Sequence, residues 1–292
     1  MARKNNNRSS NVKKISARGG LKIKQKRRNT IFLVIFLIFL LVFLFSIFKI
    51  LFWASDNKAI DDVVEAINND TKVNEIKDDE ATEKVDSKGE SKKSDYWYFI
   101  KMPLIDVDIT KLKAKNADTV GWINVNNTNI NYPFVQSKNN KYYLTHAFDG
   151  SVNEAGWVFL DYRNDKNLSN RNNIIYAHSR LDRTMFGSLK KVLNREWFEN
   201  RDNRVIRISN EKENTMWQVF SVYTVPEETY YITTDFVSEK DYLKFLKKIK
   251  KRSIYNFDAN VSSDSKILTL STCYSDNNRV VVHAKLIKRS AR

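Results

Sequence analysis

Three regimes of hydrophobic patterning follow one another along the chain. From Ile31 to Trp53 nearly every position is Ile, Phe, Leu, Val or Trp, broken only by Ser46 and Lys49. A helix that is apolar on every face for that distance matches the hydrocarbon core of a bilayer, and a buried core helix would not stay apolar all round for so long. Between 54 and 95 the apolar positions thin to a stripe, Val63, Val64, Ile67, Val73 and Ile76, in a background of Asp, Glu, Lys, Asn and Ser. That pattern predicts a stalk or linker, partly helical and then disordered through Asp78–Ser94. From residue 96 onward aromatic and β-branched residues concentrate in short runs.

Those runs predict strands at Gly121–Val125, Ile130–Val135, Trp157–Leu160, Asn173–Ala177, Arg204–Ser209, Met216–Val225, Ile267–Thr272 and Val280–Ile287. Turn dipeptides such as Asn126-Asn127 and Asn277-Asn278 separate several of them. Many short strands at this spacing suggest a closed or nearly closed barrel. Helical spacing predicts helices at Ile105–Ala117, Asn139–His146, Met185–Asn200 and Ser238–Arg252. In the last of these Tyr242, Phe245, Leu246 and Ile249 form an inward stripe opposite a row of lysines. The expected fold is therefore mostly β with added helices. The expected organisation is a basic tail (1–30), a transmembrane signal-anchor (31–53), a polar stalk (54–95) and one folded domain (96–292).

Charge sharpens the membrane reading. The formal net charge is +16, and the first thirty residues carry eleven Lys and Arg and no acid. By the positive-inside rule such a block before an apolar span keeps the amino terminus in the cytoplasm and exports the remainder of the chain. A nucleic-acid arm is the other use of a basic block, and the adjacent span argues against it. A cleavable signal peptide would have a shorter apolar region.

Export changes the meaning of the single cysteine, because exported cysteines usually come in disulfide pairs. A lone strand-end cysteine is ordinarily a small buried hydrophobe. Cys273, however, ends the run Ile267–Thr272, and Arg279 opens the next β-branched run six residues later. A thiolate nucleophile needs a nearby positive charge, and a reacting carbonyl needs a donor for its oxyanion. Of the three histidines, His146 and His283 read as structural, while His178 ends the run Ile174–Ala177 at the edge of a polar loop. If the two strands are neighbours, His178 and Cys273 form a general acid/base and nucleophile pair. Asp276 would be the acid of a triad or simply a surface turn residue. No phosphate loop or glycine-rich cofactor motif is present, and only seven glycines occur in the whole chain. The scattered His and Cys lack metal-site spacing. Neither cofactor nor metal is expected.

These motifs resemble the sortases, class B in particular, over about 105–288. Thr269-Leu270-Ser271-Thr272-Cys273 followed by Arg279 is similar to the family's cysteine signature and arginine. Asn173-Ile174-Ile175-Tyr176-Ala177-His178 is similar to its histidine strand, although many members carry glycine where this chain has Ala177. Met185-Phe186-Gly187-Ser188-Leu189 and an insertion at about 226–262 resemble class B. The resemblance implies a membrane-anchored cysteine transpeptidase of Gram-positive bacteria, with catalytic residues His178, Cys273 and Arg279. It would cleave an Asn-Pro-x-Thr-like sorting motif after threonine and pass the acyl group to an amine of the peptidoglycan precursor. Partners would be secreted proteins bearing that C-terminal signal, the wall amine and the membrane, with no nucleic acid. Asn140, Leu144, Tyr231, Ile232, Ser271 and Thr272 become candidate substrate contacts, with plain core as the other reading for Leu144 and Ile232. A cysteine protease with water as acceptor uses the same residues. A non-catalytic wall-binding module, using the basic helix at Lys244–Arg252, is the reading that needs no chemistry.

Overall fold

The computed structural model describes residues 7–78, 81–226, 228–275 and 278–292, the backbone alone for 7–24 and 273–275. Contacts divide the chain into two units, 1–55 and 56–292. Helix α1 (Asn7–Asp70) starts in the first and ends in the second. Among the described residues it is the one helix long and apolar enough to cross a membrane.

The second unit is built on strands, taken here in chain order. They are β1 (Val73–Ile76), β2 (Thr82–Lys84), β3 (Leu104–Val107), β4 (Thr119–Val125), β5 (Asn131–Val135), β6 (Phe159–Leu160), β7 (Asn172–Tyr176), β8 (Val205–Asn210), β9 (Glu213–Pro226), β10 (Ile267–Ser275) and β11 (Asn278–Ala291). Helices α2 (Tyr96–Phe99), α3 (Ile109–Lys115), α4 (Arg195–Glu199) and α5 (Glu239–Arg252) interrupt them. One sheet runs β10-β7-β6-β5-β4-β8-β9-β11, and β11 pairs back onto β10, so eight strands close into a barrel. Closure leaves no free edge among those eight. The barrel is mostly antiparallel. The β7–β10 pair is parallel, which demands a long crossover, and the segment holding α5 supplies it.

Alternation along β10 and β11 sends Leu268, Leu270, Val280, Val282 and Ala284 into the main core. Ile267 and Val281 face a second cluster with Tyr231, Tyr242, Phe245, Leu246 and Ile249. The stripe read on α5 is therefore what packs the insertion onto the outside of the barrel. Ser238 caps that helix by accepting from the Asp241 amide, as a serine just before the first turn should. Trp122, Trp157 and Trp217 are fully buried. Each indole N–H finds an acceptor, Asn131 Oδ1, Pro133 O and Thr215 Oγ1 respectively, which is the condition for burying tryptophan without a penalty.

Several expected elements take another form. Ile105–Ala117 is not one helix. Its start is β3, and Asp108 then caps the short α3 by accepting from the Lys111 amide. The β-branched start favours strand and the aspartate begins the helix, so one periodic reading merged two elements. Asn139–His146 is only a 3₁₀ turn at Tyr142–Leu144. Met185–Asn200 divides into a 3₁₀ segment (Gly187–Leu193) and α4, because Asn194 is extended at φ −84°, ψ 138°.

Parts of 56–78 and 81–95 pack against the barrel. Ile60 and Ile67 of α1 are buried in the main core, with Val63 and Val64 packed beside them. β1 pairs with β3, and β2 pairs with the end of β11. Beyond β2, Asp86 and Glu90 reach the fully buried Lys285, whose Nζ lies 3.4 Å and 2.6 Å from their carboxylates. A composition poor in apolar residues points to disorder, but here the segment is held by strand pairing and ion pairs that a hydrophobicity pattern does not register.

Candidate active site at one end of β7, β10 and β11

The register of three adjacent strands sets the site. β7 and β10 run parallel with Ser271 beside Tyr176, so their carboxy ends emerge on the same side. His178 lies two residues past that pair on one strand, and Cys273 two residues past it on the other. β11 runs antiparallel to β10 and pairs Arg279 directly with Cys273. The three residues thus share one end of one sheet, and the pairing irregularity between Cys273 and Ser275 lies at the same point. Asp276 falls outside the described residues.

His178 is half-buried, and its Nε2 lies 2.8 Å from the carbonyl of Leu144. Its own carbonyl accepts from the Phe186 amide at 2.9 Å, which closes the following loop. Gly187 lies directly under the Arg180 backbone in that loop, where a Cβ would collide with the Arg180 carbonyl. Arg180 pairs with Asp182 at 3.1 Å and bonds to Asn57 of α1. Arg279 is half-buried at the start of β11.

The candidate substrate contacts fall into distinct places. Ser271 is on the outer face of β10, and its hydroxyl meets that of the buried Tyr231 at 3.1 Å. Leu144 is half-buried against the core and presents its carbonyl to His178. Thr272 follows Leu268 and Leu270 on the barrel-interior face. It is 2% exposed, and its Oγ1 finds no hydrogen-bond partner among the described residues. Asn140 and Ile232 meet around a carboxylate that pattern reading did not single out. Asp161, just after β6, is fully buried and binds Arg163. Asn140 Nδ2 donates to it at 3.0 Å, Tyr176 Oη at 2.9 Å, and Arg163 Nη2 also donates to the Ile232 carbonyl at 3.0 Å. Burial pushes the Asp161 carboxyl up, but bonds from Arg163 and Tyr176 outweigh it and hold it below the usual carboxylate range. The same burial and the adjacent carboxylate push the Tyr176 hydroxyl well up.

A second network lies on the outer face of the same strands. Thr269 Oγ1 donates to Asn172 Oδ1 at 2.6 Å, so its single proton is spent, and His283 Nδ1 at 2.8 Å must donate to it. His283 Nε2 then accepts from Tyr223 Oη at 2.8 Å, which in turn accepts from Tyr230 Oη at 3.0 Å. Asn172 Nδ2 donates onward to the Tyr231 and Thr233 carbonyls. Burial holds His283 neutral, its pKa pushed down to about 3. His283 is structural, as expected, and Asp161 escaped the sequence reading. The one signal was a charged Asp-Tyr-Arg triplet immediately after an apolar strand.

A family model described as the sortase domain matches residues 123–287. Sortase B of Staphylococcus aureus (strain NCTC 8325 / PS 47) is 39% identical over 183 residues, 61% of this chain and 74% of that protein. A Bacillus anthracis crystal structure described as similar to sortase B aligns with a TM-score of 0.62 at 37% identity, over 81% of this chain and 97% of that one. The Staphylococcus aureus sortase B–substrate complex aligns with a TM-score of 0.58 at 38% identity, over 61% of this chain and 84% of that one.

Proposed function

This chain belongs to the sortase family, among its class B members, and is a cysteine transpeptidase; we propose that it cleaves an Asn-Pro-x-Thr-like sorting motif after threonine and joins the released acyl group to a cell-wall amine. The observation that carries the reading is the strand register, with β7 parallel to β10 and Cys273 paired to Arg279. That register supports the reading because Cys273, His178 and Arg279 then sit at one barrel end, and a thiol, an imidazole and a guanidinium suit acyl transfer through a thioester.

The proposed chemistry runs in two halves. The Cys273 thiolate attacks the threonine carbonyl carbon, and the electron pair moves to oxygen. The Arg279 guanidinium, which keeps its charge at any working pH, stabilises that oxyanion or holds the adjacent peptide carbonyl. As the intermediate collapses the C–N bond breaks, and the His178 imidazolium gives its proton to the leaving amine. A thioester between Cys273 and threonine remains. An incoming amine then attacks it, neutral His178 takes the amine proton, and the thiolate departs with a new amide formed. Asn140, Tyr231, Ile232, Leu144, Ser271 and Thr272 line or support the peptide side. The amino-terminal span anchors the protein in the membrane, with the tail cytoplasmic and the barrel outside. Its substrates are secreted proteins carrying the C-terminal signal.

The test uses the full chain in detergent micelles with a quenched fluorescent Asn-Pro-x-Thr peptide, with and without an added amine. Wild type should cleave and the product should carry the amine. Cys273→Ala should abolish turnover, and Arg279→Ala should lower kcat/KM by about a hundredfold, the usual cost of one oxyanion donor. Cleavage that ends in water despite the amine would make this a protease. No cleavage across a panel of motifs, with Cys273→Ala behaving as wild type in wall binding, would favour a binding module.

A further inference from the structure

We propose that Asp161 is a positioning residue: its buried carboxylate ties Asn140, Tyr176 and, through Arg163, the Ile232 backbone into one arrangement, and so sets the shape of the peptide-recognition side of the groove. The inference rests on the functional reading above for what the groove binds.

The backbone of Asp161 is fixed first. Its amide donates to the Ile174 carbonyl at 2.8 Å, and its carbonyl accepts from Gln136 Nε2 at 2.8 Å. The side chain, wholly buried, then collects five donors. Oδ1 accepts from the Arg163 amide at 3.0 Å and from Arg163 Nε at 2.9 Å. Oδ2 accepts from Arg163 Nη2 at 2.7 Å, Tyr176 Oη at 2.9 Å and Asn140 Nδ2 at 3.0 Å. A buried ion pair is tolerated only where further donors satisfy the carboxylate lone pairs that the forked guanidinium leaves. Here the remaining donors come from two further elements, the loop before the 3₁₀ turn and β7. Arg163 adds the insertion by donating to Ile232 O at 3.0 Å.

The consequence for Asn140 is specific. A carboxylate only accepts, so Asn140 must turn its amino group to Asp161. The Tyr162 amide, 2.9 Å from Asn140 Oδ1, only donates, so it demands the same orientation. Both neighbours fix one flip state, and the second N–H of Asn140 is left for another acceptor. Replacing Asp161 by asparagine removes the charge that holds Arg163 and leaves the Tyr162 amide alone to hold the Asn140 orientation.

The experiment measures kcat and KM for the Asn-Pro-x-Thr peptide on the full chain in detergent, for wild type, Asp161→Asn, Asn140→Ala and the double variant. In parallel, the rate of Cys273 alkylation by iodoacetamide reads the nucleophile without the peptide. Asp161→Asn should raise KM at least about tenfold, the scale of one lost hydrogen bond to a charged group, with kcat and the alkylation rate within about threefold of wild type. In the Asn140→Ala background the same change should raise KM by clearly less than it does alone, because part of its effect passes through the Asn140 contact. An unchanged KM, fully multiplicative effects, or a parallel fall in kcat and alkylation would overturn the proposal, the last by showing a general structural role. If Asp161→Asn does not fold, Arg163→Lys decides. That variant keeps the charge and loses the fork, so a raised KM with normal alkylation supports positioning and an unchanged KM refutes it. A wild-type chain that cleaves nothing refutes the functional reading itself, a result distinct from an active wild type with an indifferent Asp161→Asn.

Discussion

At the residue scale the most constrained group is His283. The hydrogen bonds from Tyr230 through Tyr223, His283 and Thr269 to Asn172 all run in one direction, which requires a neutral imidazole protonated at Nδ1. Its pKa lies near 3 in the fold against an ordinary 6.5, with burial as the cause. Above pH 6.5 both folded and unfolded chains hold it neutral and its contribution is fully present. As pH falls from about 6.5 toward 3 the unfolded chain takes up a proton that the fold refuses, and stability drops by about 1.4 kcal/mol per pH unit. Thermal unfolding of wild type and His283→Gln followed from pH 7 to 4 should show a steeper decline in wild type; parallel curves would show that His283 titrates freely. Asp161 acts in the same direction in a lower window. Its depressed carboxyl adds stability above about pH 4, which is lost as pH falls through its folded value. Cys273, Arg279 and His178, the proposed catalytic set, could be singled out in the sequence because each begins or ends a β-branched run, and the strand register brings those positions to one barrel end. His283 was read as structural, but its face and partners were not legible, because both faces of β11 are buried, and alternation carries no information where nothing faces water.

At the element scale the strands were readable and the connections were less so. All eight expected strands exist, and β9 and β11 extend several residues past their apolar runs because cross-strand pairing continues through Asn214, Thr215, Arg289 and Ser290. Segment 82–95 shows what patterning misses most, since strand pairing and buried ion pairs hold it to the barrel. Lys285 is fully buried with Glu90, Asp86 and the Tyr96 ring around it. Burial pushes the Asp86 carboxyl up in spite of Lys285, the mark of a costly site for charge. Lys285→Met should destabilise the fold by about 3–5 kcal/mol, since it strands two buried acids. Changing Lys285 to Met together with Glu90→Gln and Asp86→Asn should recover much of that loss. Chemical denaturation followed by the emission of the buried tryptophans measures both, and a single variant within about 0.5 kcal/mol of wild type would show the strap to be unimportant for stability.

At the scale of the whole molecule, hydropathy alone located the apolar stretch 31–53, which lies in the one helix among the described residues long and apolar enough to cross a membrane. The closed barrel was legible from strand spacing. What spacing could not supply was the order of strands, and the site depends on that order: β7 ends at Tyr176 and β10 starts at Ile267, far apart in sequence yet side by side in the sheet. Helix α1 bears on the same region through Asn57 and Arg180, two residues past His178. Asn57→Ala should therefore lower kcat/KM by about two- to fivefold, the scale of one part-buried hydrogen bond, while leaving membrane association unchanged; an unaltered kcat/KM would show that the helix merely rests there.

The central claim, that Cys273 carries the acyl group between two amines, is open to direct weighing. Full chain in detergent, incubated with an Asn-Pro-x-Thr peptide in the absence of amine and quenched in acid, should gain the mass of the peptide fragment ending at the threonine acyl group. Proteolytic mapping should place that mass on the segment holding Cys273, and an added amine should discharge it to an amide of the expected mass. An adduct on another residue, or undiminished cleavage by Cys273→Ala, would contradict the account.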